Sequence, residues 1–196
     1  MLQDRLKDYH IILASGSPRR QAFFKDLGLD FEIRLKPVKE EFPDRLKHFE
    51  ISDYLAQLKA LPYLEELQDN DILITSDTIV WHENEALGKP CDAREAYEML
   101  RSLSNKTHEV ITSVCFTTKT FNKTLNEGTK VTFKALSDDE IWHYIETAKP
   151  FDKAGAYGIQ EWIGKIGVIN LEGSYFNVMG LPTQLVYKTL NDMVGR

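Results

Sequence analysis

Ile72-Leu73-Ile74 lacks polar alternation, and the chain continues through Thr75-Ser76-Asp77-Thr78 into Ile79-Val80-Trp81. A strand of that kind offers no face to water, so it must be covered on both sides. Ile11-Ile12-Leu13-Ala14 is a second short apolar run, read as another buried strand, and Ser15-Gly16-Ser17-Pro18 follows it. Ser17 is a good helix cap and Pro18 suits the first helical position, so the spacing predicts a helix to about Leu27, closed by Gly28.

Residues 31–35 read as a strand and 36–47 as a charged loop. Ser52 begins a helix with Tyr54, Leu55 and Leu58 on one side, and Pro62 breaks it. Asp92 with Glu95, and Ser137 with Glu140, are capping boxes for helices reaching about Leu103 and Thr147. Residues 108–118 and 129–136 are rich in Thr and Val and read as strands. Residues 166–170 and 174–178 predict a hairpin around Glu172-Gly173, and Pro182 begins the last helix. Strand and helix alternate first and strand pairs follow, which indicates an α/β fold with a mixed sheet.

Several functions are disfavoured at once. Lys and Arg number 24 against 30 Asp and Glu in 196 residues, a net charge of −6 that argues against nucleic acid as a partner. Apolar runs fall far short of the ~20 residues a membrane helix needs. The start, MLQDRLKDYH, lacks the apolar core of a signal peptide. Cys91 and Cys115 are the only cysteines, so the reading is a reducing cytoplasm with no disulfide framework.

Two features ask for chemistry. Arg19 and Arg20 sit in the first turn of a helix, where the macrodipole disfavours cations; an anion docked on free N–H groups and the Ser15 and Ser17 hydroxyls would reverse that. The alternative is a well-capped surface helix. Asp77 interrupts one of the most apolar stretches of the chain, and a buried carboxylate needs a partner, hydrogen bonds or a metal. Otherwise it turns the chain or caps a loop. Glu40-Glu41, Lys59 and Gly88-Lys89-Pro90 are weak signals alone. In the segment 152–160, Gly155 and Gly158 permit close backbone approach to a ligand, and Gln160 offers a donor and an acceptor suited to a base edge; the alternative is a glycine-containing loop entering a strand.

In order and spacing, LASGSPRR (13–20), Glu40, LAQLKA (55–60), SDTIV (76–80), GKP (88–90), LSNKTHEVIT (103–112), DKAGAYGIQ (152–160) and GSYFNVMGLP (173–182) resemble the Maf family of nucleoside triphosphate pyrophosphatases. The resemblance implies an elongated two-lobed α/β fold of the Maf/ITPase-like kind, with a central mixed sheet flanked by helices and a cleft between the lobes. It implies a hydrolase acting on phosphoric anhydrides. Asp77 would be the catalytic carboxylate, as general base or linked to a metal. Ser15, Ser17, Arg19, Arg20, Lys59 and Lys89 would surround the phosphates, and Glu40 with Asp77 would hold a divalent cation, Mg²⁺ or Mn²⁺. Arg19, Thr78 and Gln160 resemble the specificity positions of the subgroup acting on dTTP and UTP, as opposed to that preferring 7-methyl-GTP. Asn105 and Lys106 stand where the family usually has Gly and Arg. Lys39 stands where it often has an acid, which leaves Glu41 as a substitute ligand. A homodimer is usual in the family. A non-catalytic nucleotide-binding regulator of cell division or septum formation, or a house-cleaning enzyme for other modified nucleotides, is the alternative.

Overall fold

The computed structural model describes residues 1–195. In chain order its elements are α1 (Leu2–Arg5), β1 (His10–Leu13), α2 (Pro18–Asp26), β2 (Glu32–Ile33), α3 (Phe49–Ala60), a 3₁₀ turn (Leu61–Tyr63), β3 (Asp71–His82) and β4 (Glu85–Leu87). Then come α4 (Ala93–Leu103), β5 (Thr107–Thr117), β6 (Asn122–Phe133), α5 (Asp138–Ala148), a 3₁₀ turn (Ala154–Ala156), α6 (Trp162–Gly167), β7 (Val168–Glu172), α7 (Tyr175–Val178) and α8 (Thr183–Val194). The seven strands form one sheet in the order β2-β1-β3-β5-β6-β7, with β4 on β3. Strand β1 is parallel to β2 and β3, whereas β3–β4 and β6–β7 are antiparallel, so the sheet is mixed as the alternation of elements implies.

The chain divides into two compact units: residues 1–77, 112–127 and 180–195, and residues 78–111 and 128–179. The core of the first gathers Ile12, Ala56, Ala60, Tyr63, Leu67, Leu73 and Cys115. That of the second is built on Leu100, Leu103, Val131, Phe133, Ile141, Tyr144 and Ile163.

Local chemistry accounts for many boundaries. Ser17 caps α2 by accepting from the Arg20 N–H, and Gly28 takes the left-handed conformation at φ 68° just past its end. Ser137 and Glu140 form the reciprocal capping box at α5. Asp92 caps α4, but the Glu95 carboxylate reaches the N–H of Cys91 instead of that of Asp92. Asn105 takes a left-handed turn position at φ 57°, a region that Asn enters more readily than most residues other than Gly.

Four expectations are corrected. Helix α3 starts at Phe49, before Ser52, and buries Ile51, Ser52, Leu55, Ala56 and Ala60 while Tyr54 is exposed. The strand expected over 31–35 shrinks to Glu32–Ile33, and β6 begins at Asn122 instead of 129. There is no hairpin over 166–178. Residues 168–172 pair with β6, from Lys130 opposite Glu172 to Phe133 opposite Val168, and Ser174 caps the single helical turn α7 through the Asn177 N–H. A capping serine made a helix where strand propensity suggested a returning strand.

Candidate active site

In the first unit, β1 pairs with β3 only as far as Ile74, and Asp77 lies three residues beyond. Successive strand residues alternate faces, so Thr75 and Asp77 share a face. Helix α3 meets that face with Ala56 and Lys59, which lie on one helical side. The Thr75 hydroxyl donates to the Ala56 carbonyl at 2.6 Å. One helical turn further on, the Lys59 ammonium donates to Asp77 Oδ1 at 2.6 Å. Glu40, from the loop between β2 and α3, brings Oε2 to 3.1 Å from the same ammonium. The side chains of Lys59 and Asp77 are 15% and 9% exposed, so their pairing is shielded from water, whereas Glu40 is 44% exposed and its contact is screened. The carboxylate in the apolar strand therefore has a partner, and it is a cation.

Helix α2 brings in the arginines. Arg20 donates through Nε to the Gly180 carbonyl at 2.8 Å and through Nη1 to the Ser76 carbonyl at 3.0 Å. Burial lowers the pKa of this guanidinium below its ordinary value; the nearby Asp77 and Glu40 charges work the other way, and Arg19 adds to the lowering. Arg20 thus ties Gly180, in the segment leading into α8, and the residue preceding Asp77 to the first turn of α2. Ser15 is buried; its hydroxyl accepts from the Ser17 N–H at 3.3 Å and its carbonyl from the Gln21 amide at 3.0 Å. Ser15, Ser17, Arg20, Glu40, Lys59 and Asp77 all belong to the first unit, with Arg19 beside them on α2.

Thr78, Lys89 and Gln160 belong to the second unit. Lys89 is exposed in a turn that is anchored where the Gly155 N–H reaches the Gly88 carbonyl at 3.0 Å. At the two glycines of the 152–160 segment the space for a side chain is taken by neighbours within the protein. A Cβ on Gly155, whose φ is 66°, would lie 2.8 Å from Val80 Cγ2, and one on Gly158 would lie 2.9 Å from Glu161 Cδ. The Gln160 Oε1 atom is buried without a hydrogen-bond partner. An acceptor left so is costly unless something donates to it.

A further set was missed by sequence reasoning. Lys153, itself buried, pairs with Asp152 at 2.6 Å and Glu161 at 3.2 Å, and Glu161 accepts from the Tyr144 hydroxyl. That hydroxyl in turn accepts from the Gly158 N–H at 3.1 Å. Burial and the Glu161 contact raise the Tyr144 pKa, so the phenol stays a neutral donor. The available signal was a lysine beside Asp152, directly ahead of the small and apolar run from Ala154 to Ile159.

Residues 10–193 match a family model described as Maf-like protein. The chain belongs to this family. A dTTP/UTP pyrophosphatase of Flavobacterium johnsoniae is 63% identical over 194 residues, 99% of this chain and 100% of that one. The proteins of the same name from Christiangramia forsetii and Bacteroides fragilis are 58% and 49% identical, over 100% and 96% of this chain and 100% and 98% of theirs. Among solved structures, the Staphylococcus aureus Ham1 protein is 15% identical with a TM-score of 0.55, covering 94% of this chain and 99% of that one, which shows a shared fold.

In this Maf-like chain, Lys39 takes Glu41 as its partner at 2.5 Å, so of the two neighbouring glutamates it is Glu40 that faces Lys59. Among the described residues no group of three or more His, Cys, Asp or Glu side chains gathers in a metal-binding arrangement. The donor set at Lys59 is two carboxylates converging on one positive charge. Mg²⁺ is usually held by one or two carboxylates with water and substrate phosphates, so these residues fit such an ion. Among the described residues no helix is long and apolar enough to cross a membrane, and both cysteines are free thiols, Cys91 exposed and Cys115 buried.

Proposed function

We propose that this protein hydrolyses dTTP and UTP between the α- and β-phosphates, releasing nucleoside monophosphate and pyrophosphate. The observation that carries the reading is Asp77: a buried carboxylate in an apolar strand, held at 2.6 Å by Lys59 and lying in the field of Arg20, in a chain 63% identical to a dTTP/UTP pyrophosphatase.

The chemistry follows from the residues. Water adds to the α-phosphorus, the bond to the bridging oxygen breaks, and pyrophosphate leaves with that electron pair. Asp77 orients the attacking water and takes up its proton; the Lys59 bond uses Oδ1 and holds the carboxylate in one rotamer. Lys59, Lys89 and Arg19 supply positive charge to a tail carrying about four negative charges, and without that charge the acidic chain would repel it. Ser15 and Ser17 add their hydroxyls beside the start of α2, where the helix dipole favours an anion. Glu40 and Asp77 would hold Mg²⁺ or Mn²⁺, which when bound neutralises charge on the phosphate oxygens.

Base choice is assigned to Gln160 on chemical grounds. Thymine and uracil present an acceptor, the N3–H donor and a second acceptor; the N3–H is the kind of donor that a buried, partnerless Oε1 requires. Arg19 and Thr78 complete the specificity positions. The exposed free thiol of Cys91 suits a reducing cytoplasm.

The test is pyrophosphate release from a panel of nucleoside triphosphates with Mg²⁺, for the parent and Asp77→Asn. We expect dTTP and UTP to lead the panel and the Asn variant to lose most turnover while keeping its circular dichroism spectrum. An Asn variant as fast as the parent would refute the role of Asp77. A parent that binds dTTP without turning it over would indicate a nucleotide-binding regulator instead.

A further inference from the structure

Thr75 is fully buried in β3 among Ile72, Leu73 and Ile74, where a valine would fill the same space. What distinguishes threonine there is its hydroxyl, which is unfavourable to bury unless bonded. The bond goes across to α3, to the Ala56 carbonyl at 2.6 Å. Two residues along the strand is Asp77, and three residues along the helix is Lys59, joined to each other at 2.6 Å. The two contacts form adjacent rungs between one strand face and one helix side.

Lysine carries its charge on a flexible stem, so the place of the ammonium depends on how high the helix stands above the strand. The preceding turn of α3 has its own tether: the Asp53 carboxylate accepts from Ser113 at 2.6 Å and from Asn126 at 3.1 Å. At the rung next to Lys59 the polar tie is the Thr75 hydroxyl. We infer that Thr75 is a positioning residue for the reaction, its hydroxyl setting the spacing of α3 and β3 at which Lys59 meets Asp77. This rests on the reading of Asp77 as the catalytic carboxylate.

The experiment compares Thr75→Val, which keeps the shape, with Thr75→Ser, which keeps the hydroxyl, by steady-state pyrophosphate release from dTTP. A misplacement of a fraction of an ångström is expected to lower kcat about tenfold in Thr75→Val, with KM for dTTP within about twofold of the parent. Thr75→Ser should retain kcat within about threefold, because the donor is still there. A parental kcat in Thr75→Val, or an equal fall in Thr75→Ser, overturns the inference. If Thr75→Val does not fold, Thr75→Ala against Thr75→Ser isolates the hydroxyl, and equal kcat values in that pair overturn it. Asp77→Asn, assayed alongside, separates the two levels. An active Asp77→Asn removes the catalytic assignment and this inference with it, whereas an inactive one beside an unimpaired Thr75→Val removes only the part given to Thr75.

Discussion

Replacing Lys59 by methionine keeps most of the stem and removes the charge, which leaves Asp77 buried opposite an apolar group. Two unit charges at the observed 2.6 Å attract by about 6 kcal/mol at an effective dielectric near 20, before desolvation is subtracted. Exposures of 15% and 9% keep solvent screening small for this pair. The contact to Glu40, at 44% exposure, adds at most about 1 kcal/mol. Stranding a buried charge of this kind costs about 3 kcal/mol. Asp77→Asn should cost less, about 1–2 kcal/mol, because the amide oxygen still accepts from Lys59. In the double variant neither charge is stranded. Its cost should therefore fall short of the sum of the single costs by about 2 kcal/mol. Urea unfolding followed by far-ultraviolet circular dichroism measures this. Costs that add to within about 0.5 kcal/mol would show that the two side chains are not coupled.

The second unit supplies a pH test. His108 is buried, with Nε2 at 2.7 Å from the Tyr157 hydroxyl, and burial, helped by the neighbouring His82, lowers its pKa from 6.5 to about 3. Between those values the unfolded chain binds a proton that the native state does not, so this contribution is present above pH 6.5 and is lost as the pH falls, by about 2 kcal/mol from pH 7 to pH 5. Urea midpoints at the two pH values should show it; His108→Gln should flatten the dependence, and an unchanged slope in that variant would contradict the assignment. Gln160→Glu replaces part of the donor and acceptor pair with a charge and should narrow the preference for dTTP over GTP in pyrophosphate release. A ratio equal to the parent's would remove Gln160 from base choice.

What was legible in the residue order was what neighbours within four or five positions decide. The cap of Ser17 on α2, the Ser137–Glu140 box on α5 and the end of α2 at Gly28 are bonds between near neighbours, and each is where its residue type indicated. The lack of polar alternation in β3 marked it as covered on both faces, and Asp77 stood out because a charge does not belong in such a strand. The misread stretches are those in which local signals compete. Residues 174–178 carry β-forming side chains, but a serine able to cap a turn prevailed, and the partner of β7 lay some forty residues back in β6.

The partners of the site residues belong to a different scale. Lys59 reads as a surface lysine on an amphipathic helix until α3 is laid against β3, when it becomes the counter-charge of a residue 18 positions away. Arg20 reads as a group awaiting an anion, yet it grips carbonyls 56 and 160 positions distant. Such pairings are chosen by which faces pack together, a property of the whole core with no trace in the local spacing. The chain therefore specified its elements and its out-of-place carboxylate through short-range hydrogen bonding and burial preference. Only the close packing of helix on sheet could decide which cation answers that carboxylate.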